Sequence, residues 1–409
     1  MVEKNLEINQ DNNKNEDAEK WNEKGYQFLD QDKFPEALEC FDAAIKINPK
    51  YAEAWNNHGI ALDRLGQYAD ALTSFDNAVK INPNLSDIWF TRGNTLDKLG
   101  RYDEAIASYN KALGIYPDDS DALFERGIVL ARLGQYDDAV ASFDNVLEIN
   151  PGSVEAWYNR GVALDDLCRY DEALASYDEA LKIDPGNLAA WYNRGNALGI
   201  LERYDDAIES FDNALRIDPG NVYALFNRGT ALGSLERYED AIESYDKALK
   251  SDPGNPNVWF NRGVLLDKLG RYDDAFVSFD NVLTIDPGYA NVWYNRGNVL
   301  IPLERYEEAI LSFDEALRID PGDSEAWEGK GIALGELGRY QDALDAFNKA
   351  LENDPNNSQA WNNCGSALGK LGRYDEAIES YDRALEINPD DNEVRENRKQ
   401  FLMEKSGAR

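Results

Sequence analysis

An all-α chain built from eleven copies of one helix–turn–helix unit is the fold class that the sequence predicts, and three observations predict it. The segment AWYNRG at 156–161 returns unchanged at 190–195, a spacing of 34 residues that runs through almost the whole chain. Inside each copy, large and small residues recur four apart, at helical spacing: Trp at position 4 with Gly at position 8, and Ala at position 20 with Phe or Tyr at position 24. Pro closes every copy at position 32, from Pro49 to Pro389.

The elements follow in order. Residues 1–17 (MVEKNLEINQDNNKNED) read as a polar, acidic N-terminal tail with no apolar run of the kind a secretory leader needs. Eleven copies then occupy 18–51, 52–85, 86–119, 120–153, 154–187, 188–221, 222–255, 256–289, 290–323, 324–357 and 358–391, without an insertion or deletion. Nine of the eleven carry Trp at position 4, and Leu123 and Leu225 stand in the other two. A small residue facing a large ring allows close helix packing, and Pro with a following Gly ends the second helix. Asn187, Asn221 and Asn255, just after Pro-Gly, are placed to cap the next first helix. Residues 392–409 read as a capping helix and short tail, with Arg395 where Trp would stand and Lys399 where Gly would stand.

Composition narrows the function. Of 409 residues, 42 are basic and 77 acidic, a net charge of −35. Such a field disfavours nucleic acid and anionic membrane surfaces, whose binding relies on a Lys/Arg excess. No apolar stretch reaches the roughly 18 residues needed to span a bilayer, and a cytoplasmic location is expected. Three cysteines at repeat positions 23, 15 and 7 (Cys40, Cys168, Cys364) form neither a disulfide framework nor a zinc pattern. Acid pairs such as Asp171-Glu172 recur at positions 18 and 19, where they complement the dipole of the second helix. His58, the only histidine, sits at position 7, where most other copies carry Arg. No phosphate loop or nucleophile elbow occurs, so the chain is expected to be no enzyme and to need no cofactor or metal.

The Trp, Gly, Ala, aromatic and Pro positions resemble the signature of the tetratricopeptide repeat (TPR) family, over about nine tenths of the chain. The resemblance implies antiparallel helix pairs, A and B, stacked into an α-α superhelix, with helix A lining the concave groove. One departure is systematic. Position 7, usually apolar, is Arg in seven consecutive copies from Arg92 to Arg296. An inward Arg needs a partner, and position 25 of the preceding copy, usually Asp, supplies one. The expected ladder pairs Arg160 with Asp144, Arg194 with Asp178, Arg228 with Asp212, Arg262 with Asp246 and Arg296 with Asp280.

At 100° per residue, positions 2, 5, 6, 9, 12 and 13 of helix A form the arc opposite the buried one. Position 6 is Asn in five consecutive copies, Asn159, Asn193, Asn227, Asn261 and Asn295, beside the aromatic Tyr158, Tyr192, Phe226, Phe260 and Tyr294. An amide complements a peptide unit in both donor and acceptor. The row resembles the asparagine ladder in the TPR superhelix of O-linked N-acetylglucosamine transferases, which implies a grip on extended polypeptide by its backbone. Asn at position 6 is also frequent in the repeat consensus, where it serves solubility. The carboxylate clamp of chaperone-binding TPR domains needs Lys at position 5, which no copy has. The function expected is a non-enzymatic protein-interaction scaffold whose partner is a protein or peptide in extended conformation. The alternative is a self-assembling solenoid, a homo-oligomer or filament.

Overall fold

The computed structural model describes residues 2–406 in backbone, with side chains over 15–289 and 291–403. Twenty-three α-helices account for the regular structure of these residues. Each copy contributes helix A over positions 1–13 and helix B over positions 17–30, as in Val154–Asp166 and Tyr170–Ile183. Two helices depart from this plan. The first runs unbroken over Val2–Leu29, so the segment read as a tail is helical from Val2 and enters the first repeat without a break. Helix Ala290–Leu300 stops two residues early, because Pro302 at position 13 has no N–H for the last turn.

Two compact units divide the chain, Met1–Arg203 and Tyr204–Arg409. Within each, a helix packs on its chain neighbours and each helix A also meets helix A of the next repeat. The close approach of A to B has one cause. A Cβ added at Gly161 would lie 2.5 Å from Cε1 of Tyr177, and one at Gly229 would lie 2.5 Å from Cε1 of Tyr245. The position-24 rings are therefore fully buried, among them Tyr109, Tyr177, Phe279 and Phe313.

Backbone polar groups at the helix ends are satisfied by side chains in register. The position-34 residues Ser153, Asn187, Asn221 and Asn255 each accept from an N–H in the first turn of the next helix A, at 3.0–3.3 Å. Position-31 carboxylates and amides accept from the Gly after Pro, as Asp184 does from Gly186 at 2.9 Å. The indole N–H of Trp157, Trp191 and Trp259 donates to the carbonyl of Pro151, Pro185 and Pro253, tying each repeat to the one before. Between A and B, position 15 takes a left-handed conformation in all eleven copies: six are Gly, and Asp32, Cys168, Glu202, Glu236 and Glu304 hold φ of 56–58°.

The closing helix Asn392–Ser406 copies these devices with other residues. Arg395 donates to the carbonyl of Pro389, where Trp would. Arg398 pairs with Asp382 at 2.6 Å, and Phe401 stacks on Tyr381 with centroids 5.8 Å apart.

Candidate functional site

The position-7 cations bridge repeats. Nε of Arg160, Arg194, Arg228 and Arg262 lies 2.6–2.7 Å from Oδ1 of Asp144, Asp178, Asp212 and Asp246, and Arg296 lies 3.3 Å from Asp280. Arg92 with Asp76 and Lys330 with Asp314 extend the series at 2.9 and 2.6 Å. A second partner escaped the sequence reading. Nη1 of Arg160, Arg228, Arg262 and Arg296 donates to the position-23 hydroxyls of Ser176, Ser244, Ser278 and Ser312 at 2.6–2.7 Å. Those buried serines donate in turn to the carbonyl four residues back. The signal was the recurrence of Ser at position 23. His58 takes the Arg place literally, reaching Ser74 at 2.9 Å and Asp42 at 3.3 Å, with burial holding its pKa down. Two rungs lack an ion pair: Arg126 meets the neutral amide of Asn110 at 3.0 Å, and Cys364 faces Asn348.

Another unforeseen cation sits at position 16, before helix B. Arg169, Arg237, Arg271 and Arg305 fork onto the position-19 acid of the same helix, at 2.6–2.7 Å. The acid pairs are thus partly an ion-pair device, beyond their fit to the helix dipole.

On helix A, the position-5 aromatics are half-buried and lean on the core. Tyr158 packs on Tyr177, Phe226 on Tyr245, Phe260 on Phe279 and Tyr294 on Phe313, with tilted rings 5.9–6.2 Å apart. Tyr192 is half-buried in the same position. Expected as a groove floor, they serve equally as a lid on the position-24 rings.

The position-6 amides follow a rule set by the preceding position 5. Where that residue offers a polar atom, the amide reaches across to it: Asn193 to Tyr158 Oη at 3.2 Å, Asn57 to Asn22 at 3.1 Å, Asn363 to Glu328 at 3.0 Å. Where it is Phe, the amide turns back on its own helix. Asn159 donates to the carbonyl of Glu155 at 2.8 Å, Asn261 to Asn257 at 2.9 Å and Asn295 to Asn291 at 2.6 Å. Each of these three keeps its Oδ1 and second N–H clear of such a bond to the neighbouring repeat. Asn227 is half-buried and also bonded.

Positions 2, 12 and 13 carry most of the charge on this face. Asp63 accepts from Thr95 at 2.8 Å and pairs with Lys98, and Asp97 pairs with Arg132 at 2.5 Å. Asp165 has no such cation, because Ile200 occupies the matching place. Its Oδ2 accepts from Tyr177 Oη at 2.5 Å, while its Oδ1 is buried without a partner. Desolvation raises its pKa to about 6. Two clefts open between helices A. One of about 320 Å³ is lined by Ile60, Asp63, Phe90, Asn94 and Lys98. The other, of about 390 Å³, is lined by Ile332, Gly335, Glu336, Asn363 and Lys370.

Among the described residues, no group of three or more His, Cys, Asp or Glu is arranged to hold a metal ion. Burial pushes the Cys364 thiol up to about 12, far from the thiolate a nucleophile needs. None of the described helices is long and apolar enough to cross a membrane.

Models described as tetratricopeptide repeat match residues 22–187, 226–290 and 328–392 in overlapping pairs of repeats, with further matches over 188–221 and 288–356. The chain belongs to the tetratricopeptide repeat family. At that level of description it is a protein-interaction scaffold of all-α repeats. Similar solved structures include YrrB, described as a TPR protein with an unusual peptide-binding site. It is 29% identical, covers 47% of this chain and 98% of its own, and has a TM-score of 0.43. A tetratricopeptide repeat protein from Parabacteroides merdae is 22% identical over 62% of this chain and 97% of its own, at a TM-score of 0.44. The MamA protein is 24% identical over 41% and 92%, at 0.40. No curated protein matches the sequence.

Proposed function

We propose that the helix-A faces of this scaffold hold extended polypeptide by its backbone, without catalysis. The observation that carries the reading is the commitment rule of the position-6 amides. In the unit Tyr204–Arg409, Asn261 and Asn295 have Phe226 and Phe260 at position 5 of the preceding repeat, spend one N–H on their own helix, and keep an acceptor and a donor for a peptide unit. Asn159 has the same arrangement in the unit Met1–Arg203. Neighbouring helices A lie roughly 10 Å apart, and an extended chain rises about 3.3 Å per residue. One amide then meets the backbone about every third residue. Asn193, Tyr158 and Tyr192 in the unit Met1–Arg203, and Asn227, Phe226, Phe260 and Tyr294 in the unit Tyr204–Arg409, add uncharged amide and aromatic surface beside the contacts within their own unit.

The test is fluorescence anisotropy with a labelled, neutral Ser/Thr/Ala peptide of about 13 residues. Asn261→Ala with Asn295→Ala removes two backbone contacts and is expected to weaken binding about tenfold, while the melting temperature stays close to that of the parent chain. Undiminished binding by a folded double variant refutes the groove reading.

A rival reading is self-association through helix B. Val277 and Leu311 occupy position 22 in adjacent repeats and are 51% and 64% exposed, where Glu209, Glu243 and Asp345 stand in other copies. Light scattering separates the readings: growth in mass with concentration that Val277→Asp with Leu311→Asp abolishes supports self-association. A constant mass leaves capture of an extended partner.

A further inference from the structure

The Asp–Lys pairs on helix A define a register that the rest of the chain fills only by halves. At two junctions of the unit Met1–Arg203, position 12 of one repeat meets position 13 of the next as a complete ion pair, Asp63 with Lys98 and Asp97 with Arg132, while Leu29–Arg64, Ala131–Asp166 and Asp165–Ile200 lack a member. In the unit Tyr204–Arg409 the same junctions read Gly233–Lys268, Asp267–Pro302, Ile301–Glu336 and Gly335–Lys370. Each has lost one or both members.

Two adjacent halves are shaped to receive what is missing. Lys98 reaches Asp63 with its Nζ 5.7 Å from the centre of the Tyr68 ring, and Lys268 holds the same pose, 5.5 Å from the Tyr238 ring. Where Asp63 would be, Lys268 finds Gly233. A Cβ there would meet only Leu265, at 3.6 Å, so the room for a carboxylate is open. Asp267 is the converse. It is partly buried, with burial pushing its pKa up, and its carboxylate has neither a hydrogen bond nor an ion pair among the described residues. Asp165 at least accepts from Tyr177, but the ring at position 24 of the Asp267 repeat is Phe279, which has no hydroxyl. Pro302 replaces the cation that would have come from the next repeat.

We propose that these vacant halves read charge in the captured segment, Lys268 beside Gly233 taking an acidic side chain and Asp267 beside Pro302 taking a basic one. The inference rests on the backbone-capture reading above and adds specificity to it. The two places are one repeat apart, so the matching residues are about three apart in an extended chain. The net charge of −35 attracts the basic side chain from a distance. Lys268 then fixes register, since a shift by one repeat sets like charges together.

The experiment uses the full chain and three labelled peptides of about 13 residues in the same Ser/Thr/Ala background at low salt. They carry Glu-x-x-Lys, Lys-x-x-Glu or Gln-x-x-Gln at the centre. One charged order is expected to bind about fivefold or more tighter than the neutral peptide, and salt is expected to erase the difference. The exchange variant Asp267→Lys with Lys268→Asp, checked for fold by circular dichroism, is expected to prefer the opposite order. Equal binding of all three peptides overturns the inference, as does an unchanged preference in the exchange variant. If the neutral peptide binds and depends on Asn261 and Asn295 while charge has no effect, only this inference falls. Absence of all binding removes both.

Discussion

Arg228 illustrates why an inward charge is tolerated at a position that usually packs apolar carbon. Its side chain is 22% exposed, its partner Asp212 is 41% exposed, and Ser244 satisfies a second face of the guanidinium. Arg228→Met removes the charge while keeping volume, yet takes the donor from the Ser244 hydroxyl oxygen and from the inner oxygen of Asp212. We expect a loss of about 1–2 kcal/mol by urea unfolding. Arg237→Met, which breaks only the exposed Asp240 pair, is expected to stay within about 0.5 kcal/mol. Equal losses would remove the ladder from the account of stability. Asp165 makes the opposite point about a carboxylate. Its folded pKa of about 6 lies above the ordinary 3.8, so the folded state binds the proton more tightly than the unfolded chain. No penalty exists below about pH 4, where both states are protonated, and the full penalty is present above about pH 6. Relative to Asp165→Asn, the parent chain is therefore expected to lose stability as pH rises across that window. Since the group is only partly buried, the loss is about 1 kcal/mol. Thermal melts of both chains from pH 4 to 8 check it; parallel curves would contradict the assignment.

At the scale of the helix pair, the turn between A and B is where sequence and backbone disagree most openly. Six copies place Gly at the left-handed position 15, and Glu236 adopts the same conformation with φ of 57°. A side chain in that region costs roughly 1–2 kcal/mol, so Glu236→Gly is expected to raise the denaturation midpoint, with a gain in unfolding free energy of about 1 kcal/mol once the added freedom of the unfolded chain is discounted. A lower midpoint would mean that Glu236 makes a contact outweighing its strain. The same turn shows what the sequence makes legible. The Pro-Gly stop of the second helix, the caps and small-on-ring packing were readable because each depends on residues inside one 34-residue copy or the next. The Arg–Asp pairing was readable for the same reason, since both partners recur in step. The serine at position 23 was overlooked because a small hydroxyl in a helix has many ordinary roles, and only its distance from a guanidinium singles it out. The position-6 amides were only half legible. Their periodicity shows in the sequence, but whether an amide crosses to the next repeat or turns back depends on a phenol or phenyl 35 residues earlier. That dependence is visible only once the helices are side by side.

For the whole molecule, the decisive property is that, among the described residues, contacts within each unit join only neighbouring helices and successive helices A. Stability is then a sum of repeat and interface contributions rather than one cooperative core, and an end of the array matters locally. The helix Asn392–Ser406 covers the last repeat of the unit Tyr204–Arg409. Phe401 covers Tyr381, which is fully buried, and Val394 is 1% exposed against the last repeat. Arg398 also completes the final rung to Asp382. That rung carries added weight because the one before it, Cys364 facing Asn348, is uncharged. Truncation after Asp391 removes the cover, the rung and the donor to Pro389 together. The expected result is localised: amide exchange in helices Ser358–Lys370 and Tyr374–Ile387 should accelerate at least about tenfold, while Ala52–Arg64 and Tyr68–Ile81 keep the parent rates. Mass spectrometry of deuterium uptake resolves these segments. Uniform acceleration along the chain would show that the repeats unfold as one body, and nearest-neighbour coupling would then be the wrong description of this fold.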